Sequence, residues 1–468
     1  MECMASESSS GKGILAGLRR TIFIERVPTY GNSIFYSLGF LALTSLTILI
    51  ASGVVMVFFG PSWWLANPWG IFFRSIHLWA AQAFILIILL HVLVILATSG
   101  FKKPRRLTWV LGAAVLLLVL AEAEFGYELR GDFSSQYRSL QAADFFNGAY
   151  LGRFINTLNF AQVYGIHIID IPLAIIALVG LHYLFVKLRG IATPYRKDVP
   201  VRTVPADHRK LFLRGGILAI VILALARIFP SPLIAPTTIK DVASQNPPLM
   251  AGTLLEEWSR TSGTATYFDS IDPYTFDTRK VYVEIPYREY LAGQNGSGLL
   301  GVLASSSSGT VQTYLAAATA YFSSGGAIAP TSSNPLIAIP SVLTKMAQSG
   351  LYGSVIDGEN RNIAPTYSLR FLADTGVMDA EASDLRITTD QWGMMREESG
   401  AVPPGAWWLA PLGILNHTIL ANDANGDRDA AEILGMLALL LVLFPYIPFV
   451  NRIPEKLPFA RWIWRSGK

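Results

Sequence analysis

Residues 74–92 read RSIHLWAAQAFILIILLHV, a run apolar enough to span a bilayer that also carries two histidines, His77 and His91. A step of fourteen residues at 100° per residue returns to within about 40° of the same helix face, and it covers about 21 Å along the axis. Both imidazoles therefore point to the same side at two depths. Because polar groups inside a membrane segment are costly and tend to be functional, this stretch predicts two ligand sites along one membrane helix.

The composition is that of a membrane protein. The 468-residue chain is 52% apolar and 15% charged, with a mean hydropathy of +0.41. A single cysteine, Cys3, excludes intrachain disulfides, Cys-ligated iron–sulfur clusters and a C-x-x-C-H haem attachment motif. The first twenty residues are polar and then basic, so no cleavable signal peptide is expected. Apolar runs predict six membrane helices at residues 33–59, 71–98, 107–125, 158–186, 211–231 and 431–450.

The charges of the connecting segments predict the orientation. Basic segments at both termini, at 101–106 and at 187–210 alternate correctly for one side, expected to be the cytoplasm, which leaves residues 232–430 extracytoplasmic. Residues 236–430 hold 20 acidic and 11 basic residues, whereas the rest of the chain holds 13 and 26. Strand-like VYVEIPY (281–287), Ser/Gly-rich turns and an Ala-rich helix predict that residues 259–404 form a soluble mixed α/β domain without a metal site.

A second pair of histidines lies in the fourth predicted helix. His167 and His182 are fifteen residues apart, which places them about 60° off one face. Helices two and four run in the same direction, so His77 matches His167 in depth and His91 matches His182. Two bis-imidazole sites about 20 Å apart result. Axial ligation by two histidines suits haem and electron transfer, whereas zinc would need further ligands at suitable spacing. A proton relay is the other functional use of buried histidines.

Glycines on two neighbouring helices repeat the histidine period. Gly39 and Gly53 on helix one are fourteen residues apart, and so are Gly112 and Gly126 on helix three. A porphyrin face needs close backbone approach, which a residue without Cβ permits. These glycines are therefore predicted to face the two haems.

The first 190 residues resemble cytochrome b of the quinol:cytochrome c and plastoquinol oxidoreductases, most closely its short cytochrome b6 type. The resemblance rests on SIFYSLG (33–39), RSIH (74–77), LHV (90–92), GFKKPRRLTWVLG (100–112), GYEL (126–129) and the fifteen-residue histidine spacing with Pro172 inside it. It implies an all-α bundle of four membrane helices with two non-covalent b-type haems, about two further membrane helices, and quinone sites near each membrane face. It also implies that Arg74 pairs with a haem propionate.

The second half resembles the family's C-terminal part in a broken form. NPPLMAGTLLEEWS (246–259) and GAWWLAPLGIL (405–415) resemble two stretches that an insertion at 259–404 separates. The resemblance implies that Glu257 accepts a quinol proton; Glu397 and Glu398 are rival candidates, and a solvated surface acid is the alternative interpretation of Glu257.

The sequence departs from the family pattern at Ser37 and at the pair Arg130 and Gly131. Ser37 stands where the cytochrome b6 type carries a cysteine that anchors an extra haem. Arg130 and Gly131 replace a Pro-Trp pair before the outer loop where a Rieske protein would dock.

The predicted divisions are a cytoplasmic N-terminal segment (1–32), a dihaem four-helix domain (33–190), a loop with the fifth membrane helix and an outer quinol-site-like segment (191–258), the inserted domain (259–404), and a last membrane helix with a basic tail (405–468).

The resemblance implies a subunit of a homodimeric respiratory or photosynthetic complex in a prokaryotic cytoplasmic membrane. That subunit would carry electrons from quinol through two haems, coupled to proton translocation, with a Rieske protein or c-type cytochrome as partner and without nucleic acid. The alternatives are a two-haem anchor without a Rieske partner, which exchanges electrons with a soluble reductase or dehydrogenase, and a transporter with histidine proton relays. Haem absorbance separates the transporter from the other two.

Overall fold

The computed structural model describes residues 23–192, 202–268, 277–291, 298–358, 366–388, 405–456 and 463. Residues 1–22, the rival acids Glu397 and Glu398, and most of the basic tail lie outside these ranges. The chain divides into two compact units. The first comprises Met1–Glu122, Ile171–Ser231 and Met436–Lys468, and the second comprises Ala123–Asp170 and Pro232–Gly435.

The elements up to the fifth membrane span follow the chain in this order: β1 (Arg26–Pro28), α1 (Leu38–Phe59), α2 (Pro61–Ala66), α3 (Pro68–Ala97), α4 (Arg106–Glu128), α5 (Phe133–Gly148), α6 (Phe160–Gly165), a π-helical turn π1 (Ile166–Asp170), α7 (Ile171–Arg189), β2 (Thr203–Pro205) and α8 (His208–Ile228). The remaining elements are α9 (Ile239–Gln245), α10 (Pro247–Ser259), π2 (Thr264–Phe268), π3 (Arg279–Glu284), α11 (Ile285–Leu291), α12 (Gly298–Ser305), α13 (Ser308–Ser323), α14 (Pro335–Gln348), α15 (Leu351–Gly358), α16 (Thr366–Asp374), α17 (Val377–Asp384), α18 (Ala410–His417), α19 (Gly426–Leu443) and α20 (Ile453–Lys456).

Six helical segments of the described residues are long and apolar enough to cross a membrane. They are Phe35–Phe59, Pro68–Ala97, Arg106–Glu128, Phe160–Arg189, His208–Ile228 and Arg428–Tyr446. Each overlaps one of the six spans predicted from hydropathy. The prediction of an all-α membrane bundle with four core helices and two more is therefore confirmed.

Helix α3 shows how local sequence sets a membrane helix. The side chain of Asn67 caps the helix by accepting a hydrogen bond from Trp69 N at 2.9 Å, and Pro68 occupies the first turn, where its missing N–H costs nothing. The helix then runs for 30 residues, or about 45 Å. It is long enough to carry both His77 and His91 within one straight element.

Small side chains hold the membrane helices of the first unit together. Helix α3 packs on α1 and on α8, and α1 also packs on α8. Ala80 of α3 and Ala226 of α8 lie in one buried cluster with Ile76 and Ile222, and both alanines are almost fully buried. Alanines permit the close helix approach by which membrane helices associate.

The second unit has its own core, built from helices. Helix α10 buries Met250, Leu254 and Trp258 in this core and packs on α13 and α14. Tyr282 and Tyr352 are fully buried there as well, and the Tyr352 hydroxyl donates to the Tyr282 carbonyl oxygen at 2.8 Å. This core stabilises the helical unit by apolar burial.

The mixed α/β prediction for the inserted region is wrong for the residues that the structure describes. The stretch VYVEIPY, predicted as a strand, forms the end of π3 and the start of α11. Its buried residues include Tyr282, Val283, Pro286 and Tyr287, a helical spacing that alternation of apolar residues had concealed. The only strands among the described residues are β1 and β2, which pair antiparallel with Val27 opposite Val204.

The second unit also begins earlier in the chain than the predicted insertion. The predicted limit between residues 258 and 259 falls in the last turn of α10, whose buried face belongs to the core of this unit. Residues from Pro232 onward and the segment Ala123–Asp170 fold with it.

Candidate haem-binding site

The four predicted ligand histidines lie on two helical segments of different local geometry. His77 and His91 lie on the regular helix α3, whereas His167 lies in the π turn and His182 in α7. A π turn holds one more residue than an α turn, and π turns occur frequently at functional sites. The fifteen-residue spacing therefore becomes equivalent to fourteen, and His167 and His182 share a face as His77 and His91 do.

Pro172 explains why the π turn lies where it does. It stands immediately after π1, in the first turn of α7, and it has no N–H to offer to the preceding turn. Proline and π bulges are both recognised causes of irregularity in long helices. Because Pro172 cannot donate a backbone hydrogen bond to the preceding turn, the regular α-helical bonding is interrupted there, and the turn can take up one extra residue.

Each of the four histidines faces one of the four predicted glycines. A Cβ built on Gly126 would lie 2.8 Å from His167 Cε1, and one on Gly112 would lie 3.1 Å from His182 Cε1. A Cβ built on Gly53 would lie 3.4 Å from His77 Cε1, and one built on Gly39 would lie 3.8 Å from His91 Cε1. Each glycine backbone thus lies beside an imidazole ring; an added Cβ would press on that ring at Gly126 and Gly112 and would make ordinary van der Waals contact at Gly53 and Gly39.

Two imidazoles are anchored through the nitrogen that a metal would not use. His182 Nδ1 lies 3.0 Å from the carbonyl oxygen of Thr108, so Nδ1 carries the proton and donates it. Ser52 Oγ lies 3.0 Å from His77 Nδ1 and donates to the Ile48 carbonyl oxygen at 2.8 Å, so it can accept from His77 when Nδ1 carries the proton. In that tautomer Nε2 of both rings is unprotonated, as an axial ligand of iron must be. Ser52 was not among the predicted site residues, although its position next to Gly53 was a usable signal.

The inner pair of histidines lies within a single unit. His91 and His182 both belong to the first unit and interact electrostatically. His77 belongs to the first unit and His167 to the second, so the pairing of these two stays a prediction. Arg74, three residues before His77, is 6% exposed, and its proposed contact with a propionate also stays a prediction.

The residues present fit a haem. Glycines beside imidazoles leave room for a flat macrocycle, and anchored Nδ1 atoms orient Nε2 for axial ligation. His91, His182, His77 and His167 would hold iron, and Gly39, Gly53, Gly112 and Gly126 would border the porphyrin faces.

The residue predicted to accept a quinol proton has a different environment from the one expected. Glu257 is fully buried in the second unit, where its Oε2 accepts a hydrogen bond from Ser262 Oγ at 2.7 Å. Burial, together with the neighbouring carboxyl of Asp374, raises the pKa of Glu257 well above its usual range. The solvated surface acid considered as an alternative is excluded, and the role of Glu257 as a quinol base stays a prediction.

A charged cluster lies at the end of α4. Arg138 of α5 donates from Nη1 to both carboxylate oxygens of Glu124, each at 3.1 Å, and its guanidinium lies 4.5 Å from the centroid of the Tyr127 ring. Arg130, which replaces a family proline, is buried, pairs with Asp132 at 2.9 Å and also contacts the Tyr127 ring. Two acids at helical spacing at the end of an apolar span, Glu124 and Glu128, were the available sequence signal.

Arg214 of α8 occupies the surroundings of Ser37. It donates to the Ser37 hydroxyl and to the carbonyl oxygens of Asn32 and Ser33, at 3.1 and 3.2 Å for the two carbonyls. The serine that replaces a haem-anchoring cysteine is therefore part of a hydrogen-bonded network at the start of α1.

A multi-pass helical membrane protein whose partly buried membrane-helix histidines each face a glycine of a neighbouring helix has the site of a haem-binding electron-transfer protein. The comparisons with known proteins agree, and the chain belongs to the cytochrome b/b6 family. The sequence model of the family described as Cytochrome b(N-terminal)/b6/petB matches residues 82–236.

Curated relatives support this assignment. Cytochrome b6 of Synechocystis sp. (strain ATCC 27184 / PCC 6803 / Kazusa) is 32% identical over 190 residues, which cover 36% of this chain and 85% of that protein. Cytochrome b6 of Synechococcus elongatus is 30% identical over 190 residues, which cover 36% of this chain and 88% of that protein. A chain of the solved structure titled Hyperthermophilic respiratory Complex III aligns with a TM-score of 0.40 and 17% identity over 79% of this chain and 99% of that chain. That last similarity is too low to add to the assignment.

Proposed function

We propose that this chain is the dihaem cytochrome b subunit of a quinol-oxidising complex in a prokaryotic cytoplasmic membrane. The observation that carries the proposal is the one-to-one contact of four histidines with four glycines. His77 and His167 would ligate one haem, and His91 and His182 the other. The basic loops favour cytoplasmic termini and an extracytoplasmic position for residues 232–430, whose charge is net acidic from residue 236 onward.

The chain's own residues set the ligand properties. Thr108 and Ser52 accept the Nδ1 protons of His182 and His77, which makes Nε2 the basic atom and fixes the ring orientation. Bound haem supplies reversible one-electron chemistry, and two histidine ligands leave no open position for a substrate. The protein therefore contributes position and potential rather than bond-breaking at the metal.

Quinol is the proposed electron donor, and a Rieske protein or a c-type cytochrome is the proposed partner in a homodimeric complex. Both rest on the family and not on a contact in the chain. Glu257 is the base that the resemblance implies, but its complete burial and its hydrogen bond with Ser262 favour a role in stabilising the second unit. A group that takes a substrate proton must reach it within hydrogen-bond distance or through one water.

A two-haem anchor without a Rieske partner is the second candidate function. The observation that favours it is Arg130, which stands in place of a family proline and is held by Asp132 and by the carbonyl oxygen of Pro232 at 2.7 Å. A remodelled turn at this position alters the loop where a Rieske protein would dock. In this case the haems would exchange electrons between quinone and a soluble reductase or dehydrogenase.

Quantitative haem analysis and quinol reduction test the proposal together. Purified protein should contain about two non-covalent low-spin haems per chain, and quinol should reduce them. Protein without haem absorbance would exclude both electron-transfer candidates. Haems that both quinol and a soluble reductase reduce, without any dependence on a Rieske protein, would favour the anchor.

The role of Glu257 needs a separate measurement. As a base, Glu257→Gln should slow quinol-driven haem reduction by about 10²-fold or more with intact haem spectra. If Glu257 is instead a structural residue, Glu257→Gln should leave that rate unchanged and alter the thermal stability of the second unit.

A further inference from the structure

The end of α4 buries a carboxyl group that the proposed function does not use. Glu128 is 5% exposed, and neither of its carboxyl oxygens has a hydrogen-bond partner among the described residues. A buried carboxylate without a hydrogen bond is costly, so its presence needs a reason. Reversible protonation is one such reason, because burial is far less costly for the neutral carboxylic acid than for the carboxylate anion.

Its charged neighbours can hold one proton between them. The groups that act electrostatically on Glu128 are Glu124, one turn earlier on the same helix, and Arg138 of α5. Arg138 forms an ion pair with Glu124, and the positive charge of its guanidinium also acts on the Glu128 carboxyl. With both acids ionised this acid cluster (Glu124, Glu128 and Arg138) has a net charge of −1, and with one proton it is neutral. The nearby ions Arg130 and Asp132 form a pair of their own.

The cluster connects a buried acid to a more accessible one. The Glu124 side chain is 23% exposed, whereas Glu128 is almost completely covered. A proton held by Glu128 therefore has a route to water through a carboxyl only four residues away, on the same face of the helix.

The cluster also lies at the depth of a predicted haem ligand. Gly126, which faces His167, is two residues before Glu128, so the two positions differ by about 3 Å along the axis and by about 200° around it. The haem-facing side and the acid-bearing side of α4 are thus opposite faces of the same turn. That arrangement separates the path of an electron from the path of a proton.

We propose that Glu128 is a proton-accepting residue of quinol oxidation and that Glu124 passes the proton to water. This inference rests on the proposed function. The O–H bond of a quinol hydroxyl breaks, and an O–H bond forms on the Glu128 carboxylate. Of the two electrons, one would go to the haem that His77 and His167 are proposed to hold, and the other to the proposed high-potential one-electron partner. When Glu124 has released the first proton, the second leaves by the same route, and the product is the quinone.

Glu128→Gln tests the inference, with Glu284→Gln as the matched control. Glu284 is a partly exposed acid of the same unit that pairs only loosely with Arg288, at 3.4 Å. Glu128→Gln should keep both haems and their dithionite-reduced spectra, and should slow quinol-driven reduction by about 10²-fold. Glu128→Asp should restore part of the rate, and Glu284→Gln should match the wild type.

Two readouts respond to proton transfer and not to structure alone. The wild-type rate should rise with pH and level off, and this titration should vanish in Glu128→Gln. Redox-induced infrared difference spectra should contain a carboxylic acid band that Glu128→Gln lacks. If Glu128→Gln loses haem, Glu124→Gln takes its place, and it should slow the rate while keeping the infrared band.

Wild-type rate, pH profile and infrared spectrum in both glutamine variants would overturn the inference and leave the cluster a structural ion group. A slow Glu257→Gln beside an unaffected Glu128→Gln would overturn it in favour of Glu257. Wild-type haems that no quinol reduces would instead overturn the proposed function, whatever the variants do.

Discussion

The two units of the chain bury different kinds of polar residue. Among the described residues, the buried polar side chains of the first unit are hydroxyls, one amide and the guanidinium of Arg74, whereas the second unit also buries the carboxyls of Glu128, Asp132 and Glu257. The three described π-helical turns, of which π1 carries His167, all belong to the second unit as well. The first unit thus carries three of the four predicted ligand histidines on regular helices, and the second also buries carboxyl groups.

The same contrast separates the two histidine-bearing segments. Helix α3 holds His77 and His91 by regular geometry, whereas His167 reaches its glycine through an irregular turn before Pro172. Both segments achieve the same result, an imidazole beside a glycine at each depth. The π turn therefore accommodates the one extra residue of the second histidine spacing.

The largest effect should come from removing a ligand. His91→Ala and His182→Ala should each lower the haem content from about two to about one per chain, and both should remove the same haem. His77→Ala and His167→Ala should remove the other. Haem content by the pyridine haemochrome assay and redox titration of the remaining haem check this. If His167→Ala retained both haems, the π turn would not be part of a haem site.

Single-residue deletions test the difference between the two segments directly. Deletion of Leu86, an exposed residue of α3, rotates His77 by about 100° relative to His91 and should abolish one haem. Deletion of Ile169, an equally exposed residue of π1, should convert the π turn into an α turn and keep both haems. Haem loss in both deletions, at equal expression, would show that the extra residue is required rather than absorbed.

Alanine at the glycines should have a smaller, graded effect. Gly126→Ala places a methyl group 2.8 Å from His167 Cε1, whereas Gly39→Ala leaves 3.8 Å to His91 Cε1. Overpacking of about 1–3 kcal/mol should weaken haem binding about tenfold or more in Gly126→Ala and little in Gly39→Ala. Haem retention during chelating washes or haem transfer to apomyoglobin measures the difference. Equal losses in the two variants would mean that the glycines serve helix packing only.

The smallest effect concerns the stability of the second unit. The pKa of Glu257 is raised in the folded state, so the stabilisation by its protonated form is complete below the unfolded pKa of about 4.3 and is lost as pH rises through the folded value. The melting temperature of this unit should fall by a few degrees between about pH 5 and about pH 9. Glu257→Gln should flatten that dependence. A wild-type melting temperature that rises over this range would contradict the burial of a neutral acid.

Much of the membrane part was predictable from the sequence. The six spans follow from local apolar composition, and the fourteen-residue steps of His77 to His91 and of Gly39 to Gly53 follow from the constant rise and twist of an α-helix. The inserted region was less predictable, because alternating apolar residues at 281–287 are compatible with a strand and with a helix that buries one broad face.

The sequence by itself determined which residues lie on the membrane helices and at which period, because hydropathy and helical geometry are local properties. Only the tertiary structure decided which glycine faces which histidine, where the fifteenth residue of the second spacing is absorbed, and that Glu257 is covered while Glu128 lacks a hydrogen bond. These features depend on segments far apart in the chain. Their physical basis is packing and desolvation, which no single stretch of sequence contains.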